Sequence, residues 1–213
     1  MRNKIKKIDK DWWWPKDDGE GDIAKSCWHY MQSNPNTPEL VSKYVEDKKV
    51  VVQAGGNCGF YVKQYAHLFE TVYTFEPDPV NFFCLNLNVT ETNVIKIQGC
   101  LGSSHGGVGL ENYLPDVGAT HVSGAGIYPT FTIDDLNLSG CDLIHLDIEG
   151  YELFAFQGAR NTLEKFKPVV CFEFHDAWAG RYSHGLNEIE RELVRYGYAQ
   201  VGTANKDKIF KVG

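Results

Sequence analysis

From residue 49 onward the apolar positions switch repeatedly between two periods. Val50–Ala54 is a short, nearly continuous apolar run, the pattern of a strand covered on both faces. Phe60–Glu70 places apolar residues at 61, 62, 65, 68 and 69, the spacing of one helix face. Thr71–Phe75 predicts a second strand. Asp78 then caps a helix with Pro79 at its first position, and Val80, Phe83, Cys84 and Leu87 recur at helical spacing. Asn93–Gln98 predicts a third strand. The alternation returns with strands at Leu143–Ile148 and Pro168–His175 and with helices at Glu152–Lys165, broken near Gly158, and Leu186–Tyr196, closed by Gly197. Tyr198–Val201 and Ile209–Val212 read as a terminal antiparallel pair. Strands alternating with helices predict an α/β fold, a mostly parallel sheet with helices on both faces.

Two stretches fall outside the alternation. Residues 99–131 are glycine-rich and irregular, with a hairpin expected near Val108–Tyr113 and His121–Ile127; a segment this long in a compact domain is usually functional. Residues 1–48 carry a basic head (Arg2, Lys4, Lys6, Lys7, Lys10), then Trp12-Trp13-Trp14-Pro15 and an acidic, glycine-containing run. A short helix is expected over Ile23–Met31. A second begins with Thr37 as cap and Pro38 at its first position, and runs to about Val45. The division expected is an extension, 1–48, packed on or capping the active site, and a main domain, 49–213. Three consecutive tryptophans are too apolar to be left bare: they pack onto the domain or form an aromatic platform for a flat substrate. The lysines before them are expected to be a solvated tail or to bind a phosphate.

The 213 residues, 43% hydrophobic, suffice for one sizeable core. A net charge of −7 counts against a duplex nucleic-acid partner, since phosphate neutralisation drives that binding. Six cysteines without a CxxC pair disfavour a zinc site or disulfide framework and point to a reduced, cytoplasmic protein. The N-terminus lacks the apolar core of a signal peptide, and no apolar run reaches the length of a membrane span. The sequons at Asn88 and Asn137 are read as chance.

In such a sheet, ligands sit beyond the carboxyl ends of the strands, at the switch point. The polar groups there are Gly55-Gly56-Asn57, Glu76, Gln98-Gly99-Cys100, Asp147-Ile148-Glu149 and Glu173-Phe174-His175. Glu76, followed by Pro77-Asp78-Pro79, ends the second strand where an acidic residue can accept from ribose hydroxyls. Asn57 and Phe60 stand where a nicotinamide-binding G-x-G-x-x-G would need glycines, which disfavours an NAD-dependent oxidoreductase. What fits is the looser Gly55-to-Gly59 turn that contacts the amino-acid end of S-adenosylmethionine. Asp147 and Glu149 share a strand face, with His145 one step deeper as a hydrogen-bonded core histidine. Glu173 and His175 share the next; His175 is a candidate general base. His175 and Asp176 with Glu173 or Asp147 could ligate a metal, but no recognisable ligand spacing indicates one.

Four ordered motifs then carry a resemblance: VVVQAGGNCGFY, TFEPDPVNFFCLNLN, FTIDDL followed by HLDIEGYELFAFQGA, and PVVCFEFH. From Val50 to its end the chain resembles the FkbM-type S-adenosylmethionine-dependent methyltransferases. That implies a class I methyltransferase fold, Rossmann-like, with a seven-stranded, mostly parallel sheet of order 3-2-1-4-5-7-6 and helices on both faces. It implies methyl transfer, mostly to hydroxyls of sugars or natural products, from S-adenosylmethionine to a small-molecule or carbohydrate acceptor. The cofactor residues expected are Gln53, Gly55, Gly56, Asn57, Gly59, Glu76, Pro77, Cys100 and Asp147. The catalytic residues expected are Asp147, Glu149 and His175, with Glu173 matching the acidic residue of the following strand. Gln53 replaces the family's usual acid, which transfers the pairing of the methionine ammonium to Asp147. It also keeps open a binding protein that has lost catalysis. A nucleic-acid methyltransferase is disfavoured by the acidic charge and by the lack of an Asn/Asp-Pro-Pro-Tyr-like motif.

Overall fold

A computed structural model of the protein describes residues 1–9, 11–20, 26–112 and 116–213. The chain opens with β1 (Ile5–Ile8), β2 (Trp12–Pro15), α1 (Cys27–Ser33) and α2 (Thr37–Ser42). The alternating region follows as β3 (Val50–Ala54), α3 (Phe60–Leu68), β4 (Thr71–Phe75), α4 (Pro79–Asn88) and β5 (Val94–Ile97). An insert holds β6 (Cys100–Leu101), β7 (Gly106–Glu111) and β8 (His121–Phe131). Then come β9 (Leu143–Leu146), α5 (Glu152–Gln157), α6 (Arg160–Phe166), β10 (Val169–Phe172), α7 (Asp176–Ala179), α8 (Leu186–Val194), β11 (Tyr198–Ala204) and β12 (Asp207–Val212).

Seven strands make the main sheet in the order β11-β12-β10-β9-β3-β4-β5. Counted among themselves from the β5 edge, they run 3-2-1-4-5-7-6. β10, β9, β3, β4 and β5 are parallel neighbours; β12 runs antiparallel to both β10 and β11. The sheet changes direction of growth between β3 and β9, and a crevice opens there beyond the strand ends.

Alternate strand residues feed two apolar layers, because successive side chains point to opposite faces. Val51, Val72, Leu143 and Cys171 join Val62, Tyr65 and Leu85 on one face. Val52, Phe75, Ile144, Leu146, Val170 and Phe172 join Phe156, Leu163, Ile189 and Leu193 on the other. Ile5, Trp14, Cys27, Met31 and Val41 belong to the first layer, so residues before position 49 help to build the core. His145 is fully buried in this sheet. Tyr65 Oη lies 2.7 Å from its Nδ1, and Asp207 Oδ2 lies 3.0 Å from its Nε2.

Several expectations change at the N-terminus. The basic head pairs, as β1, with the tryptophans of β2 and is no free tail. Trp14 is buried, its indole N–H donating to Asp18 Oδ2 at 2.7 Å. The first helix is described from Cys27; Ile23, where the sequence pattern starts it, lies outside the described residues. In α2 the cap is Asn36, since the Thr37 hydroxyl bonds instead with Tyr61 and Asn205. The hairpin of the insert forms as β7 and β8, antiparallel, with Tyr113 outside the described residues. Among the described residues no helix is long and apolar enough to cross a membrane.

Candidate active site

The crevice is a cavity whose floor is the turn after β3 and whose sides are the segments following β4, β9 and β10. Gly55 has φ +82, and a Cβ there would stand 1.9 Å from the Asp147 carbonyl oxygen. Only glycine permits that approach of β3 to β9. The N–H groups of Gly55 and Gly56 both donate to the Phe75 carbonyl, which folds the turn back over the end of β4. Gly59 has φ +94, and a Cβ there would press within 2.5 Å of Val89; it lets α3 start against α4.

Glu76, at the end of β4, is buried. Its Oε2 accepts from the Asn57 N–H at 2.7 Å and its Oε1 from the Asp78 N–H at 2.8 Å. Burial pushes its pKa up to about 8, while those N–H donors pull the other way. The Asn81 side chain also hydrogen-bonds to this carboxylate, which lines the cavity.

Across the turn stand three carboxylates. Asp147 and Glu149 follow β9, Glu173 follows β10, and a carboxylate oxygen from each lies within 4.8 Å of the others. Burial, then Glu173 and Glu149, hold the Asp147 carboxyl well above the usual range. Burial, then Glu173, pushes Glu149 up to about 9. Glu173 is raised as well, by burial and then by Asp207. A hydrogen bond between the two side chains adds to the rise at Asp147 and opposes it at Glu173. Tyr30 Oη donates to Glu173 Oε1 at 3.4 Å. Glu149 takes a left-handed backbone, φ 60, followed by Gly150 at φ 100. Glu152 Oε1 accepts from the N–H groups of Ile148 and Gly150 and fixes that turn.

The outer wall comes from both stretches outside the alternation. Cys27, Tyr30 and Met31 of α1 line the cavity, as do residues 116–122 before and within β8. One buried carboxylate ties them together. Asp18 Oδ1 accepts from the N–H groups of Cys27 and Val117, and Oδ2 from Trp14 Nε1 and the Trp28 N–H.

Of the residues singled out by sequence, Gly55, Asn57, Glu76, Pro77, Cys100, Asp147 and Glu149 line the cavity, and Glu173 joins them. Four lie elsewhere. Gln53 is buried in the sheet, its Oε1 accepting from Thr74 and its Nε2 donating to the Ala54 carbonyl. Gly56 packs beneath the turn against Thr74, and Gly59 serves the helix contact described above. His175 is exposed: its Nδ1 accepts from the Ala177 N–H as the cap of α7, and its ring stacks on Trp178. Sequence reasoning missed Tyr30, Asp116, Trp178 and Lys206. Cys27, Tyr30 and Met31 do stand at i, i+3, i+4, a one-face helical signal; Asp116 and Lys206 lie in loops, and Trp178 in the four-residue α7, too short for a period.

A parallel sheet with this crevice, glycine turn and acidic strand ends is that of the class I methyltransferase-like α/β proteins. A family model, the methyltransferase FkbM domain, matches residues 50–199. The chain belongs to that family. An FkbM methyltransferase from Methylobacillus flagellatus superposes with TM-score 0.50 at 19% identity, over 77% of this chain and 43% of that one. The chain thus spans under half the length of that relative. A ribosomal-protein methylase from Lactobacillus delbrueckii subsp. bulgaricus superposes with TM-score 0.53 at 12% identity, over 85% of this chain and 79% of the other. Comparison with curated proteins found no match.

Family and fold make S-adenosylmethionine the cofactor. The cavity fits it on its own chemistry. A glycine turn that a Cβ would block lies between a buried carboxylate that lines the cavity, Glu76, and a cluster of carboxylates suited to a cation.

Proposed function

We propose that this chain is an O-methyltransferase acting on a hydroxyl of a small polar acceptor, such as a sugar or a natural product. The observation that carries the reading is the arrangement of Glu76 and the Asp147–Glu149–Glu173 cluster on opposite sides of the Gly55 turn, around one cavity. Gly55 and Asn57 would hold the amino-acid end of the cofactor, Glu76 its ribose hydroxyls, Pro77 and Cys100 the flank beyond, and Asp147 its ammonium. When bound, S-adenosylmethionine supplies a methyl group on cationic sulfur, which the acceptor oxygen takes as the S–C bond breaks and the electron pair stays with sulfur. Glu149, whose pKa burial pushes up to about 9, takes the acceptor's proton in its ionised form. Residues 1–48 serve as the cap that shapes acceptor choice, through Tyr30 and Met31. Orientation within a closed site would supply most of the rate.

Gln53 faces the core, so its lack of charge offers no support for a binding protein without catalysis. Six unpaired, buried cysteines fit the cytoplasm as the compartment, and the acidic net charge favours a small acceptor over nucleic acid. Calorimetry with S-adenosylhomocysteine tests the cofactor half of the proposal. Loss of a charged hydrogen-bond acceptor in Glu76→Ala should weaken binding by roughly 10-fold to 100-fold. An unchanged affinity would sink the ribose assignment. Formation of S-adenosylhomocysteine on a panel of hydroxylated acceptors tests the other half.

A further inference from the structure

Two groups of metal-type ligands are present among the described residues. The first, His145, Cys171 and Asp207, is sealed in the sheet and satisfied internally through Tyr65. The second, Asp147, Glu149 and Glu173, opens on the cavity. None of its three carboxylates is in an ion pair with any described residue; Lys206 lines the same cavity without reaching them. Glu149 is only 8% exposed, and its Oε2 is buried with no hydrogen-bond partner. A buried charged oxygen without a partner costs several times what a satisfied one does. Its carboxylate is nevertheless held among two others by a left-handed backbone and by the Glu152 staple. Lys206 acts on Glu173 and Arg181 on Glu149, but neither forms an ion pair with the cluster, which leaves room for a further positive charge.

We propose that Asp147, Glu149 and Glu173 bind a divalent cation of the magnesium class, which holds the hydroxyl oxygens of the acceptor. Three carboxylate oxygens and no soft ligand select a hard cation. A single methionine ammonium cannot pair with all three side chains, which leaves the others for the metal. Magnesium keeps several water positions when bound by few carboxylates, and those positions face the cavity. An acceptor hydroxyl that replaces one of these waters becomes more acidic, and the cluster then acts on the acceptor through the cation. The part that concerns the acceptor rests on the methyl-transfer reading above; cation binding itself does not.

Manganese serves as the probe, because the electron paramagnetic resonance signal of the free ion falls on binding. Chelator-stripped protein should take up about one Mn2+ per chain at one class of site, displaced by Mg2+. Glu149→Gln and Glu173→Gln, each checked for folding by circular dichroism, should weaken uptake by at least ~10-fold. Glu149→Gln should still bind S-adenosylhomocysteine as the unaltered protein does. Retention of the full free-ion signal at millimolar protein, with or without S-adenosylhomocysteine, overturns the proposal. So does equal uptake by the unaltered protein and both variants, which would put the ion elsewhere. If manganese binds while S-adenosylhomocysteine does not, the methyltransferase reading falls and the cation site stands.

Discussion

Glu76 illustrates how much one side chain can carry. It closes the glycine turn through Asn57, starts α4 through Asp78, and still lines the cavity. Ribose hydroxyls donate better to its ionised form, and its pKa lies at about 8. Affinity for S-adenosylhomocysteine should therefore rise with pH through that value and level off above it. Titration calorimetry from pH 6.5 to 9 checks this, and Glu76→Gln should flatten the profile. Gly55 and Glu76 were legible in the sequence because a strand end fixes backbone position, and backbone position fixes which residue type is tolerated. Gln53 and His175 were not. Strand alternation allows two faces, and only packing assigned Gln53 to Thr74. The chain turns after Phe172, which carries His175 out to cap α7.

At the scale of elements, the hairpin of β1 and β2 owes its position to a side chain 75 residues away. Asn88 Oδ1 accepts from the Trp13 N–H, and its Nδ2 donates to the carbonyls of Trp13 and Cys58. The amide thus pairs with β2 as another strand would. Asn88→Ala strands these buried groups and should lower stability by about 2–4 kcal/mol. Urea denaturation measures the loss, and earlier proteolytic cleavage within residues 1–20 would locate it at the hairpin. If stability and cleavage stay unchanged, the amide does not anchor the hairpin. The helices and strands after residue 49 were legible because their apolar periods match what they bury. The hairpin was not: its strands are four residues long, too short for a period, and its partner is remote.

For the whole molecule, buried carboxyls set the response to pH. Burial pushes Glu76 up to about 8 and Glu152 up to about 7, from an ordinary 4.5. Between pH 4.5 and these values the folded chain holds protons that the unfolded chain has released. The unfolded state then binds fewer protons, so stability falls as pH rises through the window. It is fully present below pH 4.5 as far as these two groups are concerned. Ligand-free protein should melt at a higher temperature at pH 6 than at pH 8.5, and Glu76→Gln should narrow the gap. A melting temperature that rises over that range would contradict the assigned burial.

The sequence by itself determined the alternating strands and helices, the glycine turn after β3, the acidic strand ends and the family, because each of these rests on local spacing or on a short ordered motif. The tertiary structure decided the rest. It turned Gln53 into the core, moved His175 off the site, folded Asp18 and Asn88 into anchors for residues 1–48, and drew Asp147, Glu149 and Glu173 within 4.8 Å of one another. Most of those outcomes depend on groups remote in the chain, such as Gln53 and Thr74, 21 positions apart, and Asp18 and Val117, 99 apart. Their energies come from burial and pairing in three dimensions, which no local pattern records.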